Sequence, residues 1–207
     1  MNRALYLCLL LLAGLFVTGQ ASAHPHVWVS MKSELIYAPD GSVTGVRHAW
    51  TFDDMFSTFA TQGLETKQKG VFTREDLKPL AEVNVTSLKE FDFFTYAKAN
   101  GNKVPFTDPV DYWLDYADSV LTLHFTLPFK KPVKAHELNI EMYDPDYFVD
   151  FVFDEKDPVK LVSAPAACKM SIVRPGTSAP VGETFFTQPS ASNWGAQFAN
   201  KILVKCS

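Results

Sequence analysis

His24 and His26 stand two residues apart in the run His24-Pro25-His26-Val27-Trp28. In an extended strand, side chains at that spacing leave the same face with Cα atoms roughly 7 Å apart, which suits chelation of one divalent ion. The residues before them add a third donor. Met1-Asn2-Arg3 is a short basic head, Leu5 to Val17 is an uncharged apolar run, and Ala21-Ser22-Ala23 is the small-x-small pattern that signal peptidase requires. The apolar run is too short to span a bilayer, and Cys8 lies inside it rather than after a small-residue cleavage box, against a lipoprotein. A leader cleaved after Ala23 is therefore expected, with the mature chain starting at His24. Its α-amine, with an ordinary pKa of about 7.7–8, can yield its proton to a divalent metal near neutrality. Pro25 has no N–H to give up, which excludes the square-planar copper or nickel site built on two backbone amides. Amine plus two imidazoles remains, and such a set accepts nickel, cobalt, zinc or copper alike.

Further ligands must come from later in the chain. His48 and Asp53 lie on what reads as the return strand of a hairpin, and Asp144 and Asp146 flank Pro145 at a strand end. The expected metal residues are thus His24, His26, His48, Asp53 and Asp144. His124 and His136 are single histidines on strands and read as structural. Two plainer readings stand beside these: the N-terminal histidines as a polar terminus, and Tyr143-Asp144-Pro145 as a turn with an Asx-type hydrogen bond.

Cys168 and Cys206 are the cysteines that survive cleavage. In an exported chain such a pair is most simply a disulfide, closing a loop of about 40 residues worth roughly 4 kcal/mol. Two-thiolate metal ligation, the alternative, lacks C-x-x-C spacing. The net charge of −4 becomes one unit more acidic without Arg3, which argues against nucleic acid and against steering to an anionic membrane. No nucleophile elbow, phosphate loop or Cys/His catalytic signature is present, so no enzyme activity and no small organic substrate are inferred.

The elements that must position these residues follow from periodicity. His26 to Tyr37 alternates, Ala38-Pro39-Asp40-Gly41 is a turn, and Ser42 to Phe52 resumes as a strand, giving an N-terminal hairpin with His48, Trp50 and Phe52 on one face. A helical insertion is expected over about 54–98. It contains a helix start at Thr73-Arg74-Glu75-Asp76, Pro79 as the first residue of a new or kinked helix, and an apolar stripe Leu80, Val83, Leu88, Phe91, Phe94. Glu65 to Asp76 has calcium-loop spacing, but Lys67 and Lys69 occupy positions that need oxygen ligands, making it a degenerate EF-hand-like unit. Strands are expected at Ser119 to Phe129, Leu138 to Met142 and Tyr147 to Phe153. Trp194, Phe198 and Ile202 suggest a last helix from Ser192 to Leu203. The fold class is α+β: one domain over 24–207, an antiparallel sheet or sandwich carrying a helical insertion and a C-terminal helix.

Three motifs, His24-Pro25-His26-Val27-Trp28, Trp50-Thr51-Phe52-Asp53 and Tyr143-Asp144-Pro145-Asp146-Tyr147-Phe148, resemble domain-of-unknown-function family 1007 over most of the mature chain. That resemblance implies a periplasmic component of an ABC-type transport system, with some relatives similar to companions of nickel/cobalt permeases. The expected function is a non-catalytic periplasmic transition-metal-binding accessory whose partner is an inner-membrane transporter or permease. The competing classes are a copper oxidative enzyme using an N-terminal histidine brace and a periplasmic scaffold without metal.

Overall fold

Alternation builds the first hairpin as the sequence requires. The computed structural model describes residues 25–66, 68, 70–176 and 191–207, so the leader, its cleavage point and His24 lie outside the described residues. Strand β1 (Val27–Tyr37) turns Val29, Met31 and Leu35 into the core and its alternate residues outward. Gly41 supplies the positive φ of 80° that the turn needs, and the Asp40 carboxylate accepts the Ser42 N–H and O–H. Strand β2 (Val43–Phe52) returns antiparallel, setting His48 opposite Ser33 and Trp50 opposite Met31.

The remaining strands are β3 (Thr95–Ala99), β4 (Asn102–Val104), β5 (Val110–Ala117), β6 (Val120–Val133), β7 (Glu137–Met142), β8 (Val149–Phe153), β9 (Val159–Val162), β10 (Cys168–Val173) and β11 (Asn200–Cys206). One sheet runs β5-β6-β2-β1-β8, with β9 continuing beside β1, and the other runs β10-β11-β7-β3-β4. The α+β class with antiparallel sheets holds, with one departure: β8 and β9 both pair with β1 in parallel. Inward side chains of both sheets, among them Val29, Trp50 and Phe125 from one and Ile140, Met142 and Ile202 from the other, form a single buried cluster. Each such large side chain contributes roughly 1.5–3 kcal/mol of burial.

The helical insertion holds α1 (Asp54–Thr61) and α2 (Arg74–Leu88), followed by a 3-10 segment Lys89–Phe94. It ends at Phe94, earlier than the expected 98, because Thr95, Ala97 and Ala99 alternate inward and pair with β7. Thr73 forms a full capping box with Asp76, as its position suggests. Pro79 does not begin a helix; it sits inside α2, which started earlier at that box and tolerates the loss of one N–H. The buried stripe is accordingly Leu77, Ala81 and Val85, while Val83 is 62% exposed. Lys67 and Lys69, the basis of the calcium-loop comparison, lie outside the described residues.

A polar latch pins α2 to the sheet. Arg74, in its first turn, donates two hydrogen bonds to the Asp115 carboxylate of β5 at 2.8 and 3.2 Å. His124 of β6 reaches the same carboxylate at 3.2 Å and stacks on Trp113 at 4.5 Å. Burial opposes the charge on Asp115, yet the hydrogen bonds from Arg74 and Trp113 prevail and lower its pKa.

The expected C-terminal helix is corrected. Only Ala191–Phe198 is helical, as a 3-10 segment, and Asn200–Cys206 is strand β11. The slot decides: β11 lies between β10 and β7, and its alternation sends Ile202 and Val204 into the core. Trp194, expected on the buried side, is 45% exposed. Cys206 faces Cys168 across β10, and the two sulfurs are bonded at 2.01 Å.

Candidate functional site

The start of β1 is fixed from two sides. The His26 and Val27 N–H groups both donate to the Phe148 carbonyl, at 2.9 and 3.3 Å. The His26 ring is exposed and stacks on Phe148 at 4.7 Å. On the other side, Trp28 exchanges two bonds with Asp53: its N–H donates to Asp53 Oδ2 at 2.9 Å, and its carbonyl accepts the Asp53 N–H at 3.0 Å. The other Asp53 oxygen caps α1 by accepting the Phe56 N–H at 2.8 Å. Asp53 therefore joins β1, β2 and α1 through backbone groups, and both its oxygens are engaged.

Asp144 does the same for the 144–149 turn. Its side chain accepts the Asp146 and Val149 N–H groups, each at 2.9 Å, and its own carbonyl accepts Tyr147 N–H at 3.0 Å. The residue is only 5% exposed, and these backbone donors satisfy its buried oxygens. Tyr147 takes φ +57° in this turn and stacks on Phe198 at 3.9 Å. Gly195 lies against it so closely that a Cβ would stand 1.7 Å from the Asp144 carbonyl oxygen, while its N–H donates to the Pro145 carbonyl at 2.8 Å.

His48 is elsewhere. It shares the Trp50 face, as expected, but that face is the core. From the pairing of His48 with Ser33, six residues beyond Val27, it lies roughly 20 Å from the start of β1. The ring is fully buried, and burial pushes its pKa down to about 3. Thr95 gives its hydroxyl proton to the Phe93 carbonyl, so His48 Nε2–H is the donor toward Thr95 Oγ1 at 3.4 Å, and Nδ1 accepts the Ser33 hydroxyl at 2.9 Å. His48 is a neutral polar bridge between the two sheets.

The structure thus brings His26, Asp53 and Asp144 to one end of the molecule and leaves His48 out. Among the described residues no three His, Cys, Asp or Glu side chains converge as a metal cage. Asp53 and Asp144 each have both oxygens bonded to backbone N–H groups, so a metal there would have to share those oxygens. A carboxylate without such bonds was missed. Asp150 pairs in register with Trp28, so it lies on the outer face with Trp28 and His26, roughly 8 Å from His26 by strand spacing. Burial alone pushes its carboxyl up, with no hydrogen bond or cation opposing it among the described residues. Alternation of Asp150 and Val152 against Phe151 and Phe153 was the available signal.

Sequence reading also missed a cavity of about 470 Å³ beneath this strand end. Its floor is Val29, Trp50 and Phe151 of the first sheet, its opposite wall is Leu88, Phe91 and Phe94, and Phe148 and Asp146 stand in its lining beside the turn. Phe148 therefore serves both features, stacked on His26 and lining the cavity.

A family model described as "Protein of unknown function (DUF1007)" matches residues 9–206. The chain belongs to this family. An uncharacterized protein of Haemophilus influenzae is similar at 22% identity over 206 residues, covering 95% of this chain and 97% of its own length. An uncharacterized 15.5 kDa protein of Spirochaeta aurantia is 28% identical over 93 residues, 44% of this chain and 66% of its own. Family membership extends across both sheets, so the strand end, the 144–149 turn and the disulfide all lie inside the shared region. Among the described residues no helix is long and apolar enough to cross a membrane.

Proposed function

We propose that the protein is a periplasmic transition-metal-binding accessory of an inner-membrane transporter, non-catalytic, which takes nickel, cobalt, zinc or copper at its N-terminal histidines. The observation that carries this reading is the presentation of His26: its backbone is clamped by Phe148 and its ring lies outward, on the face that also holds the unpartnered Asp150. A half-buried carboxylate without a cation favours an incoming positive charge. His24 is tethered within about 7 Å of His26 by chain length alone. After cleavage at Ala23 it adds an amine and an imidazole, so two histidines, the α-amine and Asp150 make up the donor set. The periplasmic location is supported by the leader-like sequence and the disulfide, and the transporter link by what the family resemblance implies.

The test is calorimetric titration of zinc, nickel and copper into the mature protein, a form extended by one Ala before His24, His26→Ala and Asp150→Asn. Each change is expected to weaken binding by roughly 10–100-fold, and the native protein should lose affinity in acid, where protons compete with the metal for its nitrogen donors. Equal affinities across the four proteins refute the site.

A further inference from the structure

The inner face of the first sheet does not close against α2 and the segment after it; the cavity of about 470 Å³ lies between them, within the usual size range for small-molecule sites. Three features distinguish it from a packing defect. First, one wall is held in a strained backbone. Asp92, Phe93 and Phe94 all take left-handed φ, at 50°, 54° and 47°, a conformation that bulky residues avoid and that clusters where a fold positions groups for binding. The segment sets Phe91 and Phe94 side by side, ring centroids 5.2 Å apart, against the open space. Phe91 remains 46% exposed and Phe148 48% exposed, so aromatic surface continues from the interior to the mouth.

Second, Trp50 in the floor is only 1% exposed, yet its indole N–H has no hydrogen-bond partner among the described residues. A buried donor without a partner is uncommon in a finished core. Third, the electrostatics have one sign. Among the described residues no Lys or Arg lines the cavity, whereas Asp144 and Asp146 do, and Asn84 gives its N–H to the Leu80 carbonyl, which leaves its side-chain oxygen as an acceptor. An organic anion would meet carboxylates and no cation. A neutral or amine-bearing molecule would meet acceptors from Asp146 and Asn84 at its polar end, the Trp50 N–H in the floor and aromatic walls along its body.

We propose that this cavity is a binding site for a small aromatic molecule that is neutral or carries an amine, and that it discriminates against organic anions. The proposal stands apart from the metal reading and needs neither His24 nor His26.

A matched pair of dyes tests it on the mature protein. N-phenyl-1-naphthylamine is uncharged, and 8-anilino-1-naphthalenesulfonate has the same ring system with an added anion. The expected result is saturable one-to-one binding of the first, with the second weaker by about tenfold or more. Asp146→Asn should narrow that preference to about threefold. Ser87→Trp, an exposed helix position in the cavity lining, should abolish the fluorescence rise while circular dichroism stays unchanged. If that variant fails to fold, Phe91→Ala is read the same way. The Trp50 indole signal, assigned by its loss in Trp50→Phe, should shift at saturation. Equal binding of both dyes, binding undiminished in a folded Ser87→Trp or Phe91→Ala protein, a Trp50 signal that does not move, or no binding at all would each overturn the proposal.

Discussion

Acid should loosen this protein through His48. Burial between Trp50 and Phe125, whose rings lie 5.4 and 5.1 Å away, disfavours the imidazolium and lowers the His48 pKa from 6.5 to about 3. The unfolded chain then binds this proton more tightly than the folded one. The stability His48 contributes is complete above its unfolded pKa and is lost progressively as pH falls through the window from 6.5 toward 3. Each pH unit inside that window removes about 1.4 kcal/mol, so a fall from about pH 7 to about pH 4.5 removes roughly 2.5 kcal/mol. Other groups titrate in this range too, so the measurement must be a difference. His48→Gln keeps an amide able to face Ser33 and Thr95 but does not titrate. Urea denaturation of both proteins at the two pH values, disulfide intact, gives the stability gap at each. We expect the wild-type advantage to shrink by roughly 2.5 kcal/mol on acidification, with the urea m-value unchanged. A change below about 1 kcal/mol would mean that the imidazole titrates while the protein is still folded, and the argument from burial would be wrong.

The carboxylate clamps and the disulfide make further predictions. Asp53→Ala removes the cap of α1 and the acceptor for Trp28 N–H and should cost about 1–2 kcal/mol in urea denaturation. Asp144→Ala leaves two backbone donors of a partly buried turn unmet and should cost more, about 2–4 kcal/mol; a cost below that of Asp53→Ala would count against the turn's role. Thiol titration of unfolded, unreduced protein should find no free thiol at Cys168 or Cys206, and reduction should lower stability by roughly 4 kcal/mol. A reduced protein as stable as the oxidised one would show that the β10–β11 ladder holds without the bond.

Much of the first sheet was legible because its strands alternate cleanly and its first turn carries Pro, Asp and Gly in sequence. The helix start at Thr73 was equally local, and the structure completes it as a capping box with the acid three residues on. What failed was anything decided by neighbours. Asn200–Cys206 contains Ile202-Leu203-Val204, a run that suits a helix or a strand, and only the slot between β7 and β10 makes it a strand. The parity of His48 with Trp50 was read correctly, but a hairpin cannot tell from within which of its faces will meet the second sheet. The cavity was beyond reach for a similar reason. It lies between the sheet and α2, whose first turn is pinned to β5 by the Arg74–Asp115 latch and whose far end leads into three left-handed residues, and neither device has a signature in periodicity.

The contrast among the aspartates at this end of the molecule explains why ligand residues are hard to choose from sequence. Asp53 and Asp144 sit where the chain changes direction, in motifs that attract attention, and each was a reasonable metal ligand by type and position. Yet a turn at a strand end leaves backbone N–H groups without ladder partners, and a short carboxylate is the side chain best suited to accept them. The turn that places Asp144 near the strand start also engages both its oxygens: the Asp146 and Val149 N–H groups take one each. Asp150 lies inside the ladder, where the backbone groups of β1 and β8 satisfy one another, so its side chain has no structural duty and stays half-buried with its charge uncompensated. A carboxylate is available to a metal when the backbone around it is already paired. By that criterion Asp150, two residues beyond the most conspicuous motif, is the one to mutate first.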